Sequence, residues 1–279
     1  MVRSVAIVGA NGFLGKYLVA AFRHAGHEVV AVYNQSYSSE AMQGVTWKSW
    51  SEFLVEEIKF DAIIYSASVI PYGAMQEQND EMMRVNALQI LEIKKRFAAS
   101  HFIYISSVSI YAHGFQPINE RSAWLPQNVY AETKMMGELL SRGFAQHAIL
   151  RCSSIYGMGM KPHTFIPRCI AQAHQEKAIV IYGDGSRRQN YIHASDVANM
   201  CIALVHDQIC GEYLAVAPAS IENLTIAQTV ADCLKADIHF TGEDRSPSFE
   251  YDAQDTYQTL NYIPQKDCLL TLKEMCHAE

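Results

Sequence analysis

The 279-residue chain is short of charge: 18% of its residues are Asp, Glu, Lys or Arg, against a hydrophobic share of 49%. Such a composition excludes a disordered or highly solvated polymer and suits a parallel sheet buried on both faces by helices. The balance is also short of positive charge, with a formal net of −7 at pH 7. Nucleic acid is therefore excluded as a bulk electrostatic partner, and an anionic ligand needs local donors such as helix N-termini or placed arginines. No C-x-x-C pair occurs among the seven cysteines, and no H-E-x-x-H among the eleven histidines. Free thiols and no metal site are expected. Long apolar runs are missing too. Val5–Val8 is cut short by Gly9 and Asn11, so neither a secretion signal nor a membrane span is expected, and the expected compartment is the cytoplasm. There is no repeat, linker or low-complexity stretch.

What is present alternates. Val5–Val8 reads as a strand, Phe13–His24 as an amphipathic helix and Glu28–Tyr33 as a second strand. Further strands are expected at Asp61–Ser66, His101–Ser106 and Ala148–Cys152, with helices over about Gln76–Ala99 and Val129–Phe144. Strands alternating with long helices predict a doubly wound parallel sheet of Rossmann type, in residues 1–157. Beyond Gly157 the segments shorten and prolines recur, and residues 158–279 are expected to form a smaller substrate-side lobe folded as one unit with the core. Within it, Ser195 or Asp196 is a candidate cap for a helix through Val205, and Thr225 with Gln228 resembles a capping box.

Gly9-Ala-Asn-Gly12-Phe-Leu-Gly15 follows the first strand and opens the first helix. Small residues there permit a tight turn, and backbone N–H groups with the helix dipole suit a pyrophosphate. Gly9, Asn11, Gly12, Phe13, Leu14 and Gly15 are thus candidate dinucleotide-binding residues. The second strand ends in Tyr33-Asn34-Gln35-Ser36, which carries no acid to meet a ribose. Asn34 is the candidate there. Nothing in the segment repels a 2′-phosphate and no arginine grips one, so NAD or NADP fits, leaning to NADP. Lys16 is a possible phosphate partner or simply a solvated lysine.

Tyr130-Ala-Glu-Thr-Lys134 places a phenol and an ammonium one helical turn apart. The ammonium favours phenolate, which brings a tyrosine nearer the range useful for proton transfer, and Lys134 could also hold a ribose. The spacing alone is weak, because Tyr262-x-x-x-Lys266 repeats it. Pro264 lies inside that second pair and bars it from a regular helix interior. Tyr130 has an upstream partner instead: Phe102-Ile-Tyr-Ile-Ser106-Ser107 runs a strand into a turn at the carboxyl edge of the sheet, where ligands bind. A serine there can hydrogen-bond a substrate carbonyl while the tyrosine moves the proton.

With these pieces the sequence resembles the extended short-chain dehydrogenase/reductase family, the NAD(P)-dependent epimerase/dehydratase group acting mainly on nucleotide sugars. Further matching pieces are Ser66-Ala-Ser68, Asn86, Ser106-Ser107-Val-Ser-Ile-Tyr111, Leu150-Arg-Cys-Ser-Ser-Ile-Tyr-Gly157, Tyr182-Gly-Asp-Gly185, Tyr191-Ile-His193 and Asp196. The resemblance implies Tyr130 as acid/base, Lys134 as its electrostatic partner and Ser107 as the carbonyl-binding hydroxyl. It implies that Ser66, Ala67 and Ser68 flank the adenosine side of the cofactor, and it implies a homodimer joined through helices holding Leu88, Leu91, Met135, Met136, Leu139 and Leu140.

Departures from the family narrow the reaction. Its 4,6-dehydratases carry Asp-Glu where this chain has Val108-Ser109, and its double epimerases a cysteine where Ser109 stands; His163 lies one position out of register with their second epimerising residue. Thr164 stands where an asparagine is usual and Gln189 where an arginine is usual, both at positions that normally hold a diphosphate. Arg187 and Arg188 are near enough to substitute, or are a solvated turn. Ser109, Thr164, Arg187 and Arg188 are accordingly the candidate substrate contacts with Ser107. The expectation is a ketoreductase for a nucleotide-linked deoxysugar, with a nucleotide-sugar 4-epimerase as the alternative and a non-catalytic NADP-sensing protein as a third, remote reading.

Overall fold

A computed structural model describes residues 3–34, 43–71, 78–112 and 117–278. Period-two burial in the first strand, β1 (Ser4–Val8), sets the layering: Val5 and Ile7 enter one core cluster, while Ala6 and Val8 enter another on the opposite face. Helix α1 (Phe13–His24) turns Leu14, Leu18, Val19 and Phe22 onto the first face. The chain continues through β2 (Glu28–Tyr33), β3 (Thr46–Ser49), α2 (Trp50–Leu54) and β4 (Ala62–Tyr65). Next come α3 (Asn79–Met83), a π-helical turn over Arg84–Leu88, α4 (Gln89–Phe97), β5 (His101–Ser107) and a 3₁₀ turn over Val108–Ile110. Then follow α5 (Val129–Ser141), β6 (His147–Cys152) and β7 (Ser154–Tyr156). The expected helix from Gln76 is therefore interrupted at Arg84–Leu88, and Gln76 itself lies outside the described residues, as do Gln35 and Ser36.

Beyond Gly157 the order is α6 (Phe165–Gln175), β8 (Ala178–Tyr182), β9 (Arg188–Gln189), β10 (Tyr191–His193), α7 (Ala194–Asp207) and β11 (Gly211–Ala215). The remainder is β12 (Ile221–Glu222), α8 (Asn223–Leu234), β13 (Asp237–Thr241), α9 (Gln254–Leu260) and α10 (Cys268–Cys276). A seven-stranded, all-parallel sheet forms in the order β11-β6-β5-β4-β1-β2-β3. This is the Rossmann-type α/β fold. Strand order reverses between β1 and β4, which opens a crevice at their carboxyl ends. No helix among the described residues is long and apolar enough to cross a membrane.

The chain after Gly157 divides its residues between two places. Val197, Ala198, Cys201, Leu204 and Val205 of α7 pack on the same sheet face as α1, and β11 extends the sheet beside β6. A separate apolar cluster, holding Ile166, Ile179, Ile181, Ile226, Val230 and Leu272, joins α6, α8, α10 and β8 into the second lobe.

Two expected helix caps are corrected. α8 begins at Asn223, so Thr225 lies inside it and Gln228 donates to Asp232 rather than backward. Tertiary partners make a capping box unnecessary: Asn223 N donates to Arg187 O (2.9 Å) and Leu224 N to Gly185 O (2.9 Å). For α7 the cap is His193, whose Nδ1 accepts from Ser195 N at 3.2 Å. Asp196 instead accepts from Tyr262 OH (2.6 Å) and from the N–H groups of Gln265 and Lys266.

Candidate active site

The glycine turn sits at the mouth of the crevice and is held by backbone bonds. Gly9 N and Ala10 N both donate to Val32 O at the end of β2, at 3.0 and 3.1 Å. Gly9 has φ +87°, and a Cβ there would lie 2.6 Å from Ala67 N in the loop after β4. A Cβ on Gly15 would come within 2.1 Å of Gly9 O. Glycine at both places lets α1, β1 and the β4 loop meet. Gly12 caps α1 without a side chain and no acid lies in the first turn, so the positive end of the helix dipole faces the crevice uncompensated.

A cleft of about 1580 Å³ runs from this turn to the second lobe. The turn contributes Gly9, Asn11, Gly12, Phe13, Leu14 and Gly15 to its wall. Tyr33 and Asn34 border it at the end of β2, and Ser66, Ala67 and Ser68 after β4. Ser66 Oγ is anchored on Val8 O (2.8 Å), while Ser68 Oγ donates to Asn86 Oδ1 (3.2 Å).

Across the cleft, Asn128 caps α5 by accepting from Ala131 N at 2.9 Å, which places Tyr130 in the first turn, lining the cleft. Lys134, one turn on, is only 2% exposed. Its Nζ donates to Ile105 O at 2.6 Å and sits 4.4 Å from the Tyr104 ring centroid. Burial pulls this ammonium down to about 8, opposed by Cys152 and Glu138. Ser107 ends β5 on the same wall, and its Oγ accepts from Ser109 N at 3.2 Å. Ser109 Oγ is buried against the cleft with no hydrogen-bond partner among the described residues. The glycine turn, the strand-end serine and the Tyr/Lys pair thus share one cavity.

Two further residues frame the site: Asn86, one of the pieces that carry the family resemblance, and Gly137, which no motif singled out. Asn86, wholly buried in the π-helical turn, accepts from Val69 N (2.8 Å) and donates to Val69 O and Thr133 Oγ1 (both 3.0 Å). It ties the β4 loop to α5 beside Tyr130 and Lys134, the kind of task π-bulges serve. Gly137 brings α5 close: a Cβ there would fall 2.2 Å from Tyr104 OH and 2.5 Å from Asn86 O. An isolated glycine inside a helix was the available signal, because it costs ~1 kcal/mol relative to alanine unless close packing requires it.

At the far end, Thr164 caps α6 without a side-chain hydrogen bond and lines the cleft. Arg187 lines it too, donating from Nε to Pro247 O (3.3 Å) with Nη1 3.7 Å from Asp244. Arg188 is not part of the lining. Its Nη2 donates to Ser220 O (2.8 Å) and its Nε lies 2.6 Å from Glu250, because successive residues of β9 point to opposite sides. Gln189 faces the cleft and donates to Asn223 Oδ1 at 2.7 Å. Arg168, in the first turn of α6, also lines the cleft, and no carboxylate pairs with it among the described residues. It is exposed and belongs to no motif spacing, so the sequence offered no signal for it. His163 does not reach the cleft wall.

The sequence profile of the NAD dependent epimerase/dehydratase family matches residues 5–214. An uncharacterised UDP-glucose epimerase of Bacillus subtilis is 28% identical over 192 residues, covering 64% of this chain and 61% of that protein. CDP-abequose synthase of Salmonella typhimurium is 26% identical over 218 residues, 73% of this chain and 70% of that one. The chain therefore spans about three fifths of the length of the Bacillus relative. Among solved structures, MoeE5 in complex with UDP-glucose and NAD superposes with a TM-score of 0.84 at 21% identity, over 98% of this chain and 97% of the other.

Proposed function

Because the chain belongs to the NAD dependent epimerase/dehydratase family, we propose that it is an NAD(P)-dependent ketoreductase acting on a nucleotide-linked deoxysugar. The observation that carries the reading is the convergence of Ser107, Tyr130 and the buried Lys134 on one cleft wall opposite the glycine turn. The Gly9–Gly15 cradle suits a dinucleotide: a Cβ on Gly9 or Gly15 would block it, and α1 points its N-terminus at the place a pyrophosphate would take. When bound, the nicotinamide supplies the hydride. Ser107 then donates a hydrogen bond to the keto oxygen, and Tyr130 protonates the alkoxide as it forms. Lys134, fixed by Ile105 O, holds positive charge one helical turn from Tyr130 and would also bond the cofactor's ribose.

Val108 and Ser109 offer no carboxylate for eliminating water, and the partnerless Ser109 hydroxyl suits a neutral substrate group. A diphosphate would meet Arg187 and Arg168 rather than Arg188. The absence of an acid at Tyr33 and Asn34 favours NADP over NAD. Leu88, Leu91, Met136 and Leu139 remain 46%, 40%, 38% and 45% exposed on α4, α5 and the π-helical turn, which supports a homodimer through that face. The expected compartment is the cytoplasm.

A 4-epimerase is the second reading, favoured by the likeness to the Bacillus UDP-glucose epimerase and to a UDP-glucuronate 4-epimerase of Thermodesulfobacterium geofontis. The same trio would then act twice, removing and returning one proton around a retained cofactor. The deciding experiment incubates purified protein with NADPH or NADH and a panel of 4-keto nucleotide sugars, following nicotinamide absorbance and sugar products. Net cofactor oxidation supports the reductase. Sugar interconversion without it, with cofactor copurifying, supports the epimerase; neither outcome, with an intact fold, rejects both.

A further inference from the structure

Behind the wall that carries Tyr130 and Lys134 lies an ionic cluster, centred on two wholly buried side chains, for which the reaction has no direct use. Glu138 sits one turn past Lys134 on α5 and is 0% exposed, as is Arg151 on β6. The carboxylate accepts from Ser106 Oγ at 2.5 Å, from Arg151 Nε at 3.0 and 3.2 Å, and from Arg151 Nη2 at 2.8 Å. Arg151 Nη1 donates to Tyr111 OH (2.7 Å) and Glu120 O (2.9 Å), and Nη2 also meets Glu212 on β11. Ser106 immediately precedes Ser107. Arg151 immediately precedes Cys152, which lines the cleft. One carboxylate thus ties α5 to the two strands whose next residues face the site.

Stability does not explain such a cluster well, since a buried ion pair replaced by apolar side chains of like volume is often neutral or stabilising. Its geometry offers another role. We propose that Glu138, clamped by Ser106 and Arg151, is a positioning residue that sets the rotation of α5 against β5 and fixes one negative charge a helical turn from Lys134. This rests on the reading of Tyr130, Lys134 and Ser107 as the reacting set.

The groups facing Lys134 decide what that charge does. From α5 they are Tyr130 and Glu138, from β5 the Tyr104 ring, Ser106 and Ser107, from β6 Arg151 and Cys152, and from the π-helical turn the neutral Asn86. Burial pushes the Cys152 thiol up to about 12, so it is uncharged where Lys134, held near 8, loses its proton. Glu138 is then the negative side chain that opposes burial and favours the protonated lysine. Glu212 also pairs with Arg151 but lies on β11, away from Lys134.

The test is the titration of Lys134 in the full chain, read by NMR with ¹³Cε-labelled lysine and assigned by the signal lost in Lys134→Met. Glu138→Gln keeps the shape and the Ser106 contact and removes the charge. Its Lys134 midpoint should fall by roughly one pH unit, the scale of a neighbouring charge. Glu212→Gln should leave the midpoint in place. A folded Glu138→Gln protein with the wild-type midpoint, or an equal fall in Glu212→Gln, overturns the proposal. Should Glu138→Gln fail to fold, Ser106→Ala removes the tether and leaves the Glu138 charge in place. It should lower kcat by about tenfold, with the substrate KM little changed, as expected when a reacting group is misplaced. Unchanged kcat refutes the positioning role. Wild-type turnover by Tyr130→Phe would instead reject the functional reading, and leaves the Lys134 titration as an independent result.

Discussion

Replacing Gly137 by alanine puts opposing terms in direct competition. In an exposed helix interior the change should stabilise by ~1 kcal/mol, because glycine is the weaker helix former. Here the added methyl meets Tyr104 OH at 2.2 Å and the backbone oxygen of Asn86 at 2.5 Å. Those atoms bond each other at 2.7 Å, and both are buried. Overpacking a tight contact costs about 1–3 kcal/mol, and separating a buried hydrogen-bonded pair costs about another 1–3 kcal/mol. After subtracting the helix gain, Gly137→Ala should be less stable by about 1–5 kcal/mol. Urea unfolding followed by circular dichroism measures this, and kcat should fall as well because α5 carries Tyr130 and Lys134. An alanine variant as stable as the parent, or more so, would show that the α5 contact is slack and that Asn86 does not fix the helix.

Tyr130→Phe should cut kcat by about 10²–10⁴-fold with the fold intact, whereas Tyr262→Phe, which loses its bond to Asp196 and the one it accepts from Asn199, should keep turnover and lose about 1–3 kcal/mol of stability. Alanine at Arg187 or Arg168 should raise the substrate KM by about 10–150-fold and leave the cofactor KM unchanged. Arg188→Ala should raise neither, and a substrate effect there would reverse the assignment. Burial holds the His101 imidazole down to about 4, below its unfolded value, so the neutral form is the one the fold accepts. That contribution is complete above about pH 6.5 and lost as pH falls toward 4; His101→Phe should flatten the stability loss measured by urea unfolding across this interval. Sedimentation at micromolar concentration should give a dimer, and Leu139→Glu should shift it to monomer; a monomeric parent protein removes the α4–α5 interface.

What could be read from the sequence was whatever declares itself locally. β1, α1 and β2 carry their own periodicity, and the Gly9–Gly15 spacing needs only its immediate flanks. The Tyr130–Lys134 pair was separable from Tyr262–Lys266 by one proline, and the structure gives Tyr262 a separate task on Asp196. Long-range partners were not readable. Nothing near Thr225 says that Arg187 O and Gly185 O will satisfy the start of α8. Arg187 and Arg188 look equivalent until the chain entering β9 sends Arg187 to the cleft and Arg188 away from it. A charged Arg151 inside the apolar run Leu150–Cys152 was a visible anomaly, but its partner Glu138 belongs to another element and a different pattern.

The path of the chain beyond Gly157 has a consequence for dissection. It visits the second lobe, returns to supply α7 and β11, goes back for α8 and β13, and returns again for α9. A fragment ending at Gly157 would keep the glycine turn and the Tyr/Lys pair yet expose the β6 edge and strip the apolar face that α7 covers. The cofactor half is therefore not a detachable module. Insertions and circular permutations are better placed at the surface turns between lobe segments, where they would spare the returning strand, and a cut between the two halves should yield an aggregating stump rather than a minimal binder.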